Sequence, residues 1–308
     1  AWSAKQARAY SQASEKAFGP GPLRKMRHGL ADSLVLKKIR SVLGPNLRYI
    51  VSGGAPLATD LAHFYAGMGI TLLQGYGLSE TTGPIAVQHI GNNPVGTVGL
   101  PLPGNFIKIA KDGEILVRGQ SVMPGYYHLP EETAQVMPDG TWFHTGDLGS
   151  IDRKGHLTIT GRKKELIVTA GGKNVSPEIL EESLSTHPLI ANIIVVGEGR
   201  PYIGALIALD TEMLPEWLAR HGLPVVDAAQ AADIPQVREY LEKAIARANR
   251  AVSRAESIRR YRIVNAAFTV ENGYMTPSLK LKRQRVLADY AAEVDALYAS
   301  GEAAKDKE

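Results

Sequence analysis

There is no cysteine anywhere in the 308 residues, which excludes disulfides, thiolate zinc sites and a cysteine nucleophile. No apolar run approaches the roughly 18 residues that a membrane-spanning helix needs. The first residues carry no basic stretch leading into an apolar one. The expectation is a soluble, cytoplasmic protein with no transmembrane segment; peripheral contact with a membrane surface stays open. Under that expectation Asn174-Val175-Ser176 matches the glycosylation pattern only by coincidence. A strong net charge is missing too, since 35 Lys+Arg against 31 Asp+Glu leave +4. The small excess gathers in Arg238–Arg262 and Lys280–Arg285. Of the aromatic residues only Tyr240 and Tyr261 fall within the two runs, too few to make a series of stacking platforms, and Glu239, Glu242 and Glu256 interrupt the first run. A solvated helix face fits better than nucleic-acid binding. Internal repeats and low-complexity tracts are also lacking, apart from a polar end at 300–308.

What is present begins as alternating elements. Residues 1–16 and 30–43 read as helices, the second closed by Gly44-Pro45. Leu47–Ser52 and Ile70–Leu73 read as strands, with a helix over Leu57–Gly67 between them. That alternation points to α/β with a mostly parallel sheet. From Val95 the texture changes to short strands and turns. Phe106–Ile109 and Glu114–Arg118 form a hairpin around Asp112-Gly113. Pro130–Val136 is a short helix, and Trp142–Leu148 and His156–Ile159 are strands. A boundary falls within Gly161–Glu165. Beyond it the pattern predicts a helix over Ser176–Thr186 with Ser176 as cap, and strands over Ile190–Val196 and Tyr202–Leu209. Helices over Thr211–His221, Pro235–Val252 and Gln284–Tyr298 complete a compact α+β module.

Three stretches carry chemistry. Gly53-Gly54-Ala55-Pro56 follows a strand, where glycines let backbone lie flat on a planar ligand. Gln74-Gly75-Tyr76-Gly77-Leu78-Ser79-Glu80-Thr81 reads as a tight turn, its glycines leaving the Tyr76 ring free on both sides. Tyr76 can stack on a base, Ser79 offers a hydroxyl to a phosphate, and Glu80 offers a hard oxygen to Mg2+. Thr160-Gly161-Arg162-Lys163-Lys164-Glu165-Leu166-Ile167-Val168-Thr169-Ala170-Gly171-Gly172-Lys173-Asn174 reads as a charged turn between strands followed by a glycine loop. Taken singly, each has a plainer reading: an ordinary strand-to-helix turn, a buried core aromatic at Tyr76 with a surface charge at Glu80, and two basic residues in an exposed turn.

Together these motifs, running from Ser52 to Arg283, resemble the adenylate-forming enzymes, specifically the long-chain acyl-CoA synthetase branch. The resemblance implies ATP, Mg2+ and CoA as cofactors and a fatty acid as substrate. It implies adenine against Gly53, Gly54, Ala55, Gln74, Gly75, Tyr76 and Gly77, with the α-phosphate at Ser79 (usually Thr in the family). It implies metal at Glu80, ribose at Asp147 in Trp142-Phe143-His144-Thr145-Gly146-Asp147, and ribose and phosphate at Arg162. Lys164 takes the place of the hinge between a large domain, here 1–161, and a small mobile one, 162–308. Gly171, Gly172 and Lys173 line the path of the CoA pantetheine arm. The segment Met275–Arg283 resembles the one carrying the adenylation lysine, which aligns with Lys280. Lys282 lies close by, and Leu279 stands where the family more often has Gly.

The fold implied is the end of the large domain, with parallel sheet and small β-barrel part, then a compact α+β domain. One family element is not found in residues 1–52: the Ser/Thr/Gly-rich loop ending in Pro-Lys-Gly that grips the β- and γ-phosphates. The expectation is therefore the C-terminal part of a longer ligase, partnered by the upstream part of its own large domain and inactive alone. Rival readings are an enzyme that loads a carrier protein, a non-catalytic nucleotide-binding module, and a basic nucleic-acid-binding protein.

Overall fold

The computed structural model describes residues 2–277 and 279–302. Ser278, inside the basic segment discussed above, and the polar end from 303 lie outside them. The chain forms two compact units that meet between Lys164 and Glu165.

The first unit opens with helices α1 (Trp2–Ser14), α2 (Pro22–Ala31) and α3 (Lys37–Leu43). The helix expected from residue 30 starts earlier, at Pro22, whose fixed φ suits a first helical position. It passes through a π turn at Asp32–Leu36. Arg40 closes that turn: its guanidinium donates to both Asp32 oxygens, at 2.5 and 3.0 Å, and to the Met68 carbonyl. Strand β1 (Tyr49–Ser52), helix α4 (Thr59–Gly67) and strand β2 (Thr71–Leu78) follow. β1 and β2 run parallel, with Ser52 beside Gln74. β3 (Gly83–Val87) and β4 (Leu100–Pro101) extend the sheet antiparallel. Ala7, Ala31, Leu36, Met68 and Ile70 form the core beneath these helices.

An antiparallel meander occupies the place the resemblance gives to a small barrel. It consists of β5 (Asn105–Ile109), β6 (Glu114–Gly119), β7 (Phe143–Ile151) and β8 (Leu157–Arg162), with α5 (Pro130–Val136) inserted between β6 and β7. A second core of Ile85, Ala86, Val98, Ile115, Val117, Phe143 and Leu157 packs β3 against this meander.

The second unit begins with a small hairpin, β9 (Ile167–Val168) and β10 (Asn174–Val175), then α6 (Pro177–Ser185), β11 (Ile190–Val196) and β12 (Ile203–Leu209). β11 and β12 are almost uniformly apolar because they are buried on both faces. Ile193, Val195, Ala205 and Ile207 face the core shared with α6, while Ile194, Val196, Leu206 and Ala208 face the opposite core. Each fully buried Ile or Leu here contributes about 1.5–3 kcal/mol. Helices α7 (Met213–Arg220), α8 (Ala228–Ala231) and α9 (Pro235–Ala248) complete the first of those cores.

Strand β13 (Ile258–Val264) joins the sheet parallel to β12. It corrects the reading of Arg238–Arg262 as one helix face, since Arg259, Arg260 and Arg262 lie on a strand. Where a single closing helix was expected there are two, α10 (Arg283–Asp289) and α11 (Ala291–Glu302). Ser176 precedes α6 but caps nothing: its hydroxyl is buried with no hydrogen-bond partner. Among the described residues no helix is long and apolar enough to cross a membrane.

Candidate functional site

Gln74–Leu78, read from sequence as a tight turn, is the C-terminal half of β2; the turn comes afterwards, at Ser79–Thr81. The strand is held by a reciprocal pair, Gln74 N–H to Gln88 Oε1 at 3.0 Å and Gln88 N–H to the Gln74 carbonyl at 2.9 Å. The pairing of Ser52 with Gln74 places Gly53, Gly54 and Ala55, all exposed, where the chain leaves β1 beside Gly75. The Tyr76 ring is not free on both sides, because it packs against the core beneath the meander. Nor does Gly77 serve to free it. A Cβ at Gly77 would lie 2.0 Å from the Gly83 carbonyl oxygen, whereas one at Gly75 would meet only ordinary contacts from 3.5 Å outward. Gly77→Ala is therefore expected to destabilise the chain by about 1–3 kcal/mol, with Gly75→Ala close to wild type. Thermal melts showing equal losses would overturn this.

Tyr76, Asp147 and Arg162, far apart in sequence, converge. The Tyr76 hydroxyl donates to Asp147 Oδ2 at 2.7 Å, and Arg162 Nε lies 3.0 Å from Asp147 Oδ1. Asp147 and Arg162 are register partners on β7 and β8, which explains why the ion pair forms without long-range adjustment. The Asp147 side chain is only 5% exposed, while that of Arg162 is half open. Burial, and then the Asp147 charge, push the Tyr76 phenol well above its ordinary range, so it stays a donor. The arrangement presents an aromatic ring, a carboxylate and a guanidinium at one place.

Ser79 is exposed at the start of the turn, and Glu80 is half-buried beside it. Glu80 Oε1 accepts from the Tyr126 hydroxyl at 2.9 Å, and its carbonyl accepts from Met123 N–H. Among the described residues no group of three or more His, Asp or Glu gathers around a metal. A lone carboxylate fits Mg2+ shared with substrate phosphates, because that ion keeps water and takes one or two protein ligands.

Sequence reasoning missed Glu114, 5% exposed at the start of β6. Its Oε1 accepts from Gly146 N–H at 2.9 Å, while Oε2 takes His144 Nδ1 and Lys163 Nζ, each at 3.1 Å. Burial works to raise this carboxyl, but His144, Lys163 and Gly146 together hold it below the usual range. No local pattern marks it; only a carboxylate opening the apolar run Ile115–Val117 could have drawn notice.

In the second unit, Gly171 and Gly172 form the tip of a turn closed by Thr169 N–H to the Lys173 carbonyl and Gly172 N–H to the Thr169 carbonyl. Lys173 Nζ lies 3.5 Å from Glu256. Ser253, with Lys173 behind it, holds Glu256 below the ordinary carboxylate range. Lys280 sits on a second, separate hairpin. Met275 and Leu281 bridge across it, Thr276 N–H donates to the Lys280 carbonyl at 2.8 Å, and Lys280 N–H donates to Thr276 Oγ1 at 3.1 Å. Lys280 and Lys282 are both exposed. Leu279 has φ +59°, a left-handed conformation that glycine adopts without cost, which accounts physically for glycine at this position in the family. Arg283 donates to the Val195 carbonyl at 2.8 Å and pairs with Glu181, so it anchors the hairpin's end to the edge strand β11. Lys164 is the last residue of the first unit.

Comparison with known proteins matches residues 8–127 to the model described as AMP-binding enzyme, and residues 164–302 to the AMP-binding enzyme C-terminal domain. The long-chain-fatty-acid–CoA ligase FadD15 of Mycobacterium tuberculosis is 47% identical over 290 residues, covering 94% of this chain and 48% of that protein. The long-chain-fatty-acid–CoA ligase heimdall of Drosophila melanogaster is 35% identical over 308 aligned positions, covering 86% and 45%. The chain thus spans about half the length of the curated relatives it matches. Among solved structures, the A domain of carboxylic acid reductase from Segniliparus rugosus, in complex with AMP and a co-purified carboxylic acid, superposes with TM-score 0.68 at 24% identity. That match covers 97% of this chain and 46% of the other, and shows a shared fold.

Proposed function

Because this chain belongs to the AMP-binding enzyme family, we propose that it supplies the nucleotide-recognition and mobile parts of an AMP-forming ligase that joins long-chain fatty acids to CoA. The observation that carries this reading is the convergence of Tyr76, Asp147 and Arg162 in one hydrogen-bonded group. An aromatic ring for adenine, a carboxylate for the ribose hydroxyls and a guanidinium for ribose and phosphate are what an adenylate needs.

In this proposal the fatty carboxylate attacks the α-phosphate of ATP and the bond to pyrophosphate breaks, giving acyl adenylate. The CoA thiol then attacks the acyl carbonyl, and AMP leaves with the electron pair of the broken bond. No protein nucleophile is required; positioning and charge neutralisation suffice. Gly53, Gly54, Ala55, Gln74, Gly75 and Gly77 frame the adenine site, and Ser79 hydrogen-bonds the α-phosphate. Glu80 would hold Mg2+, which neutralises phosphate charge when bound. Lys280 binds both the attacking carboxylate and the α-phosphate. Rotation about Lys164 exchanges the Lys280 hairpin for the Gly171–Lys173 turn, which borders the pantetheine path.

The test has two arms. Joined to a segment bearing a β/γ-phosphate loop, the chain is expected to catalyse fatty-acid-dependent exchange of pyrophosphate into ATP and to form acyl-CoA. The 308 residues alone, which contain no Pro-Lys-Gly phosphate loop, are expected to bind AMP yet form no acyl-CoA. Products loaded onto a carrier protein but not onto CoA would replace this reading.

A further inference from the structure

Two features of the first unit point to one residue. The Asp147–Arg162 pair is flanked on each side by a residue held by the same buried carboxylate. On β7, Gly146, immediately before Asp147, donates its N–H to Glu114. Just past the end of β8, Lys163, immediately after Arg162, extends its amine to Glu114 at 3.1 Å and to Asp112 at 2.6 Å. These partners lie 32 and 49 positions from Glu114 in sequence. The boundary between the two units falls one residue past Lys163.

We propose that Glu114 is a positioning residue that fixes the stretch of β7 carrying Asp147 and the last anchored residue before the hinge at Lys164 as one rigid piece. A buried carboxylate is costly unless fully paired, and here it is paired by a backbone N–H, an imidazole and an ammonium. Because Gly146 adjoins Asp147 and Lys163 adjoins Arg162, loosening Glu114 misplaces Asp147 and Arg162 together. It also shifts the start of any hinge rotation back from Lys164. Asp112 adds a second hold on Lys163, outside the core.

This rests on the nucleotide reading of Asp147 and Arg162, so the test separates the two. AMP binding by calorimetry and amide hydrogen exchange by mass spectrometry are measured on the 308-residue chain, its Glu114→Gln form and its Lys163→Met form. For Glu114→Gln, exchange at Gly146–Asp147 and at Lys163–Leu166 is expected to rise together by about tenfold, and AMP affinity to fall by about tenfold, as a lost charged hydrogen bond predicts. Lys163→Met, whose side chain is half exposed, is expected to raise exchange at Lys163–Leu166 alone. Unchanged exchange at both segments in Glu114→Gln, or a uniform rise across the unit, would overturn the role. A wild-type chain that binds no AMP but shows the segment pattern would remove the nucleotide reading and leave the hinge anchor standing.

Discussion

Replacing Lys280 with Ala, with the chain joined to a segment bearing a β/γ-phosphate loop, is expected to slow acyl-adenylate formation by about 10²–10³-fold, the range for deleting one preorganised charge-stabilising donor, while the thioester step from preformed acyl adenylate stays within about twofold. The hairpin explains why the effect should be local. The cross-strand bonds between Thr276 and Lys280, with Lys282 N–H donating to the Tyr274 carbonyl, fix the backbone on both sides of the lysine. Leu281 packs into the core between β12 and the closing helices, and Arg283 ties the end to Val195 and Glu181. The exposed Lys280 amine carries none of these contacts, so its removal should leave the hairpin intact. Lys282→Ala is the companion measurement, expected to change either half-reaction only a few-fold. If the large loss appears in Lys282→Ala instead, the assignment of the two lysines is reversed. Equal losses in both half-reactions for Lys280→Ala would remove its adenylation role.

Asp147→Ala is expected to weaken AMP binding by about 10²-fold, as loss of charge-assisted bonds to the ribose predicts, and to lower the melting temperature at the same time. The stability loss follows from what the side chain holds. Without Asp147 the Tyr76 hydroxyl loses its acceptor, and Arg162 keeps its charge without a partner on β7. An unsatisfied buried hydroxyl costs about 1–3 kcal/mol. Asp147→Asn separates the contributions, since it preserves an acceptor for Tyr76 but removes the charge facing Arg162. Calorimetry with AMP and thermal melts on the same samples give both readouts. A lower melting temperature with unchanged AMP affinity in either variant would make Asp147 a structural residue only.

The elements legible in the sequence were those whose signal is local. Pro130–Val136 opens on proline and closes before Gly140. Ile190–Val196 is a run of apolar, largely β-branched residues, a buried-strand pattern that the structure matches. β13 has no local signal because Arg259, Arg260 and Arg262 crowd a strand that forms by pairing with β12, a partner 55 to 56 positions earlier by register. Likewise, the glycine at position 77 was visible but its reason was not: only the hairpin to Gly83 shows which backbone it must admit. The candidate site divides the same way. Tyr76, Asp147 and Arg162 each stand in a recognisable motif, whereas their convergence depends on the register that pairs Asp147 with Arg162 and on packing that brings Tyr76 to them from the other sheet. Glu114 and Tyr126 carried no motif, since what distinguishes them is the company they keep across long separations.

Asp147 already has both oxygens engaged from within the chain, one by Tyr76 and one by Arg162. Departure of a nucleotide therefore strands no naked anion, because the protein's own donors remain in place as the ligand leaves. In the role proposed for it, such a site lets AMP depart without leaving a desolvated charge behind, and its polar floor stands ready for the next nucleotide without rebuilding.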